Sequence, residues 1–540
     1  MSYPDPPNQP PWGPAGHPIG GQAPPPMGMG YPQPQYAAPP KKRGWMIPVA
    51  AVLGVALMGT TVWASNSFVG GLFGGPQPES VLPSSTMVFA KLDLKPDGGQ
   101  LANYAQFMDR LPDSVKDEID PDADPAEEIV DQMIEGLGLD MSYAQDFEPW
   151  LGKRFGVAAW AAENEDAAVD DGMATVIAVA VEDEESASAT LGEIEDETQE
   201  FTFDFRDDFA LLAPNDAVLS ELHDQIDSDG SLADEETFAS DMETVGTDSI
   251  AAAWMDLGKI DQLESESPGP GYDDFGGDGF DYGDYDPSPL SPLQSIGDVT
   301  GRIALGVKIE SEYAELRGDL FDVSVEGTAL SDYATAEPGI DVLGDLPDDT
   351  VMAVGGSGLD AMVQQVYEES PDDFADFGDA MAEVGAPLPD GLTDVLGSET
   401  AFAITDFQGS FDDFFSGYGP GGSVSFQYRG VGADLGTLQE IVDQMFAGGY
   451  GSPPGVAEEG GSVVVSSGAT GTGKLGDDSV YQQTMQGMEE ASFGFYLDLR
   501  PFMEQAGEHG PEQWGSFGGS MSFGEESTSV LARWAPDGGD

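Results

Sequence analysis

Apolar and polar residues alternate along several short stretches of the chain, with the period of a half-exposed β-strand. The alternation is clearest at 301–321 and 519–535. Between such stretches, apolar residues return every three or four positions, which predicts amphipathic helices at 129–137 and 435–445. Strands with one exposed face are typical of antiparallel sheets. The pattern therefore predicts an α+β fold of antiparallel sheets with helices on one face.

Five patterns of this kind occur twice and in the same order. We interpret this order as a tandem duplication, with copy one at 81–335 and copy two at 336–540. A chance recurrence of common α+β patterns is the alternative. The matched stretches are Val81–Leu94 with Leu346–Val363, Trp150–Trp160 with Val395–Thr405, Met173–Ile194 with Gly422–Met445, Ser249–Ile260 with Ala491–Phe502, and Gly301–Phe321 with Gly519–Ala535.

An uncharged apolar stretch precedes the two copies. It covers 44–65, between a Pro- and Gly-rich tail at 1–43 and a linker at 66–80. About 20 apolar residues suffice to cross a bilayer as a helix, so we predict one transmembrane helix. The tail is too poor in large apolar residues to fold, so we predict that it is disordered. Three basic residues at 41–43 predict that the tail is cytoplasmic and the bulk of the chain extracytoplasmic.

A cleaved signal peptide is the alternative interpretation of this region, because Val62 and Ala64 have the spacing of a cleavage site. The long leader before the basic residues and the length of the apolar run favour an uncleaved anchor.

Acidic residues dominate the composition. The 540 residues include 100 acidic and 18 basic side chains, for a net charge of −82. Such a surface repels nucleic acid and anionic lipid, which excludes both as partners. The acids either bind cations or a basic partner, or they adapt the protein to a salty medium outside the cell; their even spread favours adaptation. The chain has no cysteine, so disulfides and thiol chemistry are excluded.

The stretch SSGATGTGKLG, Ser466–Gly476, has the spacing of a phosphate-binding loop that ends at Gly473 and Lys474. However, Leu475 follows the lysine, where such a loop carries the Ser or Thr that binds Mg²⁺. The corresponding connection in copy one, at 209–222, has no run of glycines. We therefore predict a glycine-rich connection that copy two lengthened, and no nucleotide.

Two acidic stretches invite a metal-binding interpretation. At 120–131 the aspartates are spaced like the first ligands of a calcium loop, but Pro125 replaces the required glycine and Asp131 the closing glutamate. A helix start with Asp124 as N-cap explains the same residues better. The stretch 267–293 alternates acids with Tyr, Phe and Gly. It predicts a flexible insertion particular to copy one, and capture of cations or a basic partner is the alternative.

No catalytic motif accompanies the three histidines, His17, His223 and His509. His223 lies on a predicted helix whose apolar face packs inward, so we expect it at the solvent-facing flank. No Ser nucleophile stands in a G-x-S-x-G turn after a strand. We predict no catalytic, cofactor-binding or metal-binding residues. The acids are too numerous for any one pair to be assigned to acid–base chemistry, so an extracytoplasmic carboxylate-dependent hydrolase stays open as an alternative.

The chain resembles an uncharacterised bacterial envelope family, common in actinobacteria, known as domain of unknown function 3352. The resemblance rests on the basic-flanked span, an L-P-x-x-T opening (Leu82, Pro83, Thr86), a W-L-G turn (Leu151, Gly152) and a late D-L strand (Asp256, Leu257). It covers roughly 79–534 and implies membrane attachment and a large exterior domain, with no catalytic residues to transfer. The extreme acidity and the insertion at 267–293 depart from the family's pattern.

These observations favour a single-span, membrane-anchored extracytoplasmic protein with a non-enzymatic binding or scaffolding role at the cell envelope. Its partner would be a wall component, a lipid or another protein. A weaker alternative gives the main role to the tail, whose Pro- and Tyr-rich segment would recruit cytoplasmic proteins.

Overall fold

The computed structural model describes residues 77–537 with internal gaps. The gaps are 94–97, 117–126, 128–129, 132–133, 135–138, 140, 169–171, 247–248, 261–298, 326–327, 334–336, 370–377, 379–380, 383–384, 390, 408–423, 447–452, 469–470 and 525. The predicted tail, membrane span and acidic insertion lie outside the described residues. Within the described residues, no helix is long and apolar enough to cross a bilayer.

The fold is α+β, as predicted: one large antiparallel sheet carries helices. The strands are β1 Val88–Asp93, β2 Leu151–Ala161, β3 Met173–Val181, β4 Thr202–Arg206, β5 Phe209–Ala213, β6 Ala251–Asp256, β7 Val299–Ile309, β8 Ala314–Val325, β9 Thr328–Ala329, β10 Met352–Ser357, β11 Glu399–Phe407, β12 Val424–Val431, β13 Gly455–Glu459, β14 Ser462–Ser467, β15 Phe493–Asp498, β16 Ser516–Phe523 and β17 Ser527–Ala535. The helices are α1 Gly98–Arg110, α2 Asp113–Lys116, α3 Glu184–Thr198, α4 Asp216–Asp229, α5 Glu236–Val245, α6 Leu359–Glu369, α7 Gly391–Leu396, α8 Leu435–Phe446, α9 Ser479–Met485 and α10 Arg500–Ala506.

Strand pairing in the second half of the described chain, 337–537, repeats the pairing in the first half, 77–329. The first half has the spatial order β4-β5-β3-β2-β1-β6-β7-β8. The second half has the order β13-β14-β12-β11-β10-β15-β16-β17. Each strand of the second half has the neighbours that its counterpart has in the first. The last strands, β8 and β17, pair with each other, so one continuous sheet forms where we predicted separate sheets.

Local hydrogen bonds repeat as well. In the turn before β1, Thr86 Oγ1 donates to Pro83 O at 2.7 Å, and before β10 Thr350 Oγ1 donates to Pro347 O at 2.7 Å. At the ends of β6 and β15, the backbone N–H groups of Asp256 and Asp498 donate, each at 2.8 Å, to the residue that follows the threonine. The L-P-x-x-T and D-L motifs of the first half therefore build one local structure, which recurs in the second half.

An ion pair in the first half, between a buried aspartate and a partly buried arginine, corresponds to a pair of hydroxyl groups in the second half. On α5, the buried Asp241 accepts hydrogen bonds from Arg302 Nε at 2.8 Å and from the Trp254 indole at 2.9 Å. The residue at the same place on α9 is Thr484, and Ser516 occupies the position of Arg302 in the strand register. These two hydroxyl groups bond to each other. Both partners differ together, because an unpaired charge in this core would be strongly destabilising.

Helices lie on both faces of the sheet, whereas the alternation of the strands predicted one face. On β3, Val176 packs against Leu222 of α4, while the next residue, Ile177, points to the opposite side and packs with Leu191 of α3. The central strands of the first half are apolar at consecutive positions, which is the pattern of a strand buried on both faces. The prediction of helices on one face was wrong because it rested on the most clearly alternating strands, which are the last strands of each half.

Arg533 holds the two halves together where β17 meets β8. Its side chain is buried, with Nη2 2.5 Å from Glu315 on β8 and Nη1 3.1 Å from Thr484 O. The guanidinium group also lies 3.8 Å from the ring centroid of Tyr313, a cation–π contact. One side chain from the second half thus contacts the last strand of the first half and helix α9 of its own half.

We expect Arg533→Ala to lower the free energy of unfolding by about 3–5 kcal/mol, because it leaves the Glu315 carboxylate without its buried partner. Arg110→Ala is the control at an exposed ion pair. Arg110 of α1 lies 3.1 Å from Glu312, and the two side chains are 32% and 47% exposed, so we expect a loss of about 1 kcal/mol or less. Urea unfolding of the full chain measures both values, and equal losses would contradict the role of Arg533.

Candidate functional site

The loop that resembles a phosphate-binding loop is lined by carboxylates. Lys474 Nζ lies 2.5 Å from Asp345 Oδ1, so its charge is already paired. A β-carbon placed on Gly473 would lie 2.3 Å from Asp348 Oδ2, which shows how closely this loop packs on that acid. A three-residue 3-10 helix, Leu475–Asp477, follows the loop, whereas an α-helix directly follows a phosphate-binding loop. Acids at this distance repel phosphate, and the absence of nucleotide binding here stays a prediction.

The same loop is shorter than its counterpart in the first half, which reverses our prediction that copy two lengthened it. Both connections end at the same anchor, because the bridge Pro83–Ser231 corresponds to the bridge Pro347–Lys474. Between the preceding strand and this anchor, the first half has residues 214–230, which include helix α4. The second half has residues 468–473 alone. The glycines allow a short closure where the helix is missing.

The histidine and calcium candidates lead to no site. His223 lies on α4 at its flank, as predicted, with Nε2 3.2 Å from Asp204 and Nδ1 3.3 Å from Arg206. His509 is exposed in the connection after α10. The aspartates at 120–124 lie outside the described residues. Across the ranges that the structure describes, no cluster of three or more acidic or histidine side chains is arranged to hold a metal ion.

One face of the sheet is uncharged across six neighbouring strands, in the order β8-β17-β16-β15-β10-β11. The register places every second residue of these strands on the same side. We call these residues the uncharged sheet face: Ala314, Leu316, Gly318, Leu320, Thr528, Val530, Ala532, Trp534, Phe517, Gly519, Met521, Phe523, Phe493, Phe495, Leu497, Met352, Val354, Gly356, Thr400, Phe402 and Ile404. The intervening residues on the opposite side include Arg317, Asp319 and Arg533. Over these paired residues, every charged side chain therefore lies on the opposite side of the sheet.

Three large apolar side chains on this face stay exposed to solvent. Leu316, Phe402 and Phe495 are 40%, 39% and 36% exposed. Phe402 stacks on Phe426 of the next strand at a centroid distance of 5.8 Å, and Phe495 contacts Phe517 at 5.6 Å. Single exposed apolar residues are common, but a contiguous apolar surface marks a site of interaction. In a protein with a charge of −82, a face of this breadth without a single charge is the strongest candidate for a functional surface.

Covered segments flank the uncharged sheet face on both sides. At one side, Phe107 of α1 meets Trp534 edge to face at 5.9 Å. At the other side, Leu438 and Val442 of α8 pack on Val463 and Val465 of β14. The exposed side chains lie between these two covered regions.

A cleft of about 520 Å³ lies beside the joint of the two halves, lined by Glu312, Asp341, Tyr481 and Glu489 among others. Burial, together with the nearby charges of Asp341 and Glu489, raises the pKa of Tyr481, so the phenol stays protonated. The pKa of the Glu399 carboxyl is also raised, by burial and then by Asp341 and Asp345. Hydrolysis of a glycoside needs two carboxyl groups that face the same cleft. Glu399 does not line this cleft, so its carboxyl group, with its raised pKa, is not one of two such groups here.

Comparisons with known proteins gave no match to a protein-family model, to a curated protein or to a solved structure. The resemblance to the envelope family therefore stays a prediction.

The uncharged sheet face was not predicted from the sequence, although part of its signal is present there. The stretch from Ala314 to Leu320 reads A-E-L-R-G-D-L, with a charge at every second position and none between. We used such alternation to predict half-exposed strands. The alternation within a single strand does not show that six strands from the two halves place their uncharged residues side by side.

For the glycine-rich loop, we expect no ATP binding by the full chain and no change on Lys474→Ala. Because the ion pair with Asp345 is exposed, the substitution is also expected to cost less than about 1 kcal/mol of stability. A titration with a fluorescent ATP analogue measures the first expectation. Tight binding that the Lys474→Ala variant loses would contradict it.

Proposed function

We propose that this protein is a membrane-anchored extracytoplasmic protein that binds the apolar part of a lipid, without catalysis, on its uncharged sheet face. Its two halves derive from a tandem duplication, which the repeated strand pairing and the paired substitution at Asp241 and Arg302 support. The observation that carries the proposal is the absence of charged residues from the uncharged sheet face, which spans the strands β8, β17, β16, β15, β10 and β11.

The chemistry of the face favours an apolar ligand over a charged or sugar-like one. A carbohydrate or peptide ligand needs donors and acceptors, whereas this face presents phenylalanine, leucine, valine and methionine side chains with two threonines. The stacked pair of Phe402 with Phe426 and the tilted pair of Phe495 with Phe517 offer aromatic surfaces to an acyl chain or a polyprenyl chain. The net charge excludes an anionic head group near the face, so the ligand is neutral or carries its charge at a distance.

The predicted anchor places lipid within reach. Between the end of the apolar stretch at 65 and the first described residue at 77 there are 11 residues. Fully extended, they span at most about 40 Å. The folded part is thus tethered close to the bilayer surface, where lipid is the most abundant apolar molecule. This distance is the reason to prefer lipid over an apolar protein partner.

We expect Leu316→Glu and Phe495→Glu to reduce lipid binding about tenfold each, because a charge placed on an apolar binding surface loses solvation that nothing replaces. The assay uses the full chain in neutral phosphatidylcholine nanodiscs that contain a lipid with a photoactivatable acyl chain. Cross-links are mapped by mass spectrometry to β8 and β15.

Leu435→Glu is the matched control. Leu435 is also 40% exposed, but it begins helix α8 and is not part of the uncharged sheet face. We expect cross-linking of this variant to equal that of the parent. Cross-links confined to 44–65 in the parent, or equal losses in all three variants, would refute the proposal.

A further inference from the structure

A second cavity lies in the second half beside the turn and the strand whose counterparts in the first half contact helix α4. Its volume is about 300 Å³, and it is lined by Asp348, Asp349, Thr350, Val351, Thr405, Asp498, Pro501, Phe502 and Gln505. The cavity is separate from the uncharged sheet face, because Thr405 belongs to the opposite side of β11.

In the first half, buried polar side chains of α4 accept hydrogen bonds from donors on the sheet and on the segments next to it. Glu221 accepts hydrogen bonds from the Trp160 indole at 2.9 Å and from two backbone N–H groups at 3.0 Å, those of Glu163 and Asn164. One turn further along, Gln225 Oε1 accepts from the Ser85 hydroxyl. A carboxylate and an amide from the helix thus fill the space between the L-P-x-x-T turn and β2.

The register assigns a counterpart to each of these contacts in the second half. Thr405 stands at the position of Trp160, and Asp349 stands at the position of Ser85. Helix α4 has no counterpart there, and the smaller threonine leaves the volume of the indole empty. The cavity therefore results from two differences between the halves, one in the loop and one on the strand.

A buried hydroxyl group on the cavity wall has no partner. Thr405 is 6% exposed, and its Oγ1 makes no hydrogen bond. On the same side of the neighbouring strand β12, Gln427 Oε1 and Arg429 Nε are also buried without a partner. Their counterparts in the first half are the apolar Val176 and Ala178. Of these three atoms, Thr405 Oγ1 is the one on the cavity wall, and because buried polar atoms without partners are rare in native proteins, it marks the place of a ligand group.

The charge of the cavity identifies the class of that group. Arg500 neutralises Asp498 through two bonds of 2.8 Å. Asp348 and Asp349 have no ion-pair partner among the described residues. Two carboxylates without an ion-pair partner select a cation. If the cation carries N–H groups, the Thr405 hydroxyl can accept a hydrogen bond from one of them. Pro501 and Phe502 offer an apolar wall to a carbon chain attached to the cation.

We propose that this cavity binds an organic cation, a guanidinium or primary ammonium group on an alkyl chain. Asp348 and Asp349 hold the charge, and Thr405 accepts one N–H. The cation is either a free amine or the Lys or Arg side chain of another protein. The volume of about 300 Å³ suits a group of this size and is small for a larger ligand.

To test this, the full chain is placed in neutral nanodiscs at physiological ionic strength. It is titrated with agmatine and, in a separate experiment, with the peptide Gly-Arg-Gly. We expect saturable heat in isothermal titration, with about tenfold weaker binding by Asp349→Asn, since one charge-assisted hydrogen bond is lost. Thr405→Trp restores the residue of the first half, fills the cavity and is expected to abolish binding. Thr405→Val, which keeps the volume and removes the acceptor, is expected to weaken binding if the tryptophan variant does not fold.

Asp345→Asn is the matched control, because Asp345 lies nearby but is paired with Lys474 outside the cavity. We expect it to bind like the parent. Tighter binding of the peptide would assign the site to a basic side chain of a partner, and tighter binding of agmatine would assign it to a free amine. Equal weakening by Asp345→Asn and Asp349→Asn would mean that cations merely accumulate around an acidic protein, and would overturn the proposal, as would the absence of saturable heat.

Discussion

The pairing of β8 with β17 is the constraint on which the rest of the structure depends. Each half alone is a sheet that ends in an open edge, and an unpaired edge is prone to bind other chains. Edge-to-edge pairing over Ala314–Phe321 and Ser527–Trp534 closes both edges at once. It also sets the register that aligns uncharged positions from both halves on one side. Arg533 fixes that register, because its guanidinium group meets Glu315 only when the two strands are aligned in this way.

The two halves keep one framework and differ where function would be expected to differ. The turns, the strand order and the backbone hydrogen bonds of Asp256 and Asp498 are the same, and the ion pair of Asp241 with Arg302 has a hydroxyl pair as its counterpart. Where the halves differ in chain length, the second half has a glycine-rich closure in place of helix α4. The second half thus has the strand order and turns of the first half without this helix.

The sequence predicted the parts that depend on local pattern. Alternation predicted the antiparallel strands, the helical period predicted the buried face of α8, and the recurring L-P-x-x-T and D-L motifs marked equivalent positions. Contacts between distant segments were not predictable, because no local signal states that β8 pairs with β17 or that Ile177 and Val176 face different helices. The cavity was also not predictable, because it depends on the small size of the Thr405 side chain. That size is informative only when Thr405 is compared with its counterpart in the first half, Trp160. The uncharged sheet face was readable strand by strand, but its extent required the register.

The central claim is that the uncharged sheet face lies against lipid, and the absence of cysteine makes a direct measurement simple. A single cysteine at Phe495, and in a second variant at Leu435, carries a fluorophore in the full chain embedded in nanodiscs of neutral lipid with brominated acyl chains. Bromine quenches only at close contact. We predict strong quenching at position 495 and little at 435. Equal fluorescence at both positions with and without bromine would contradict the claim.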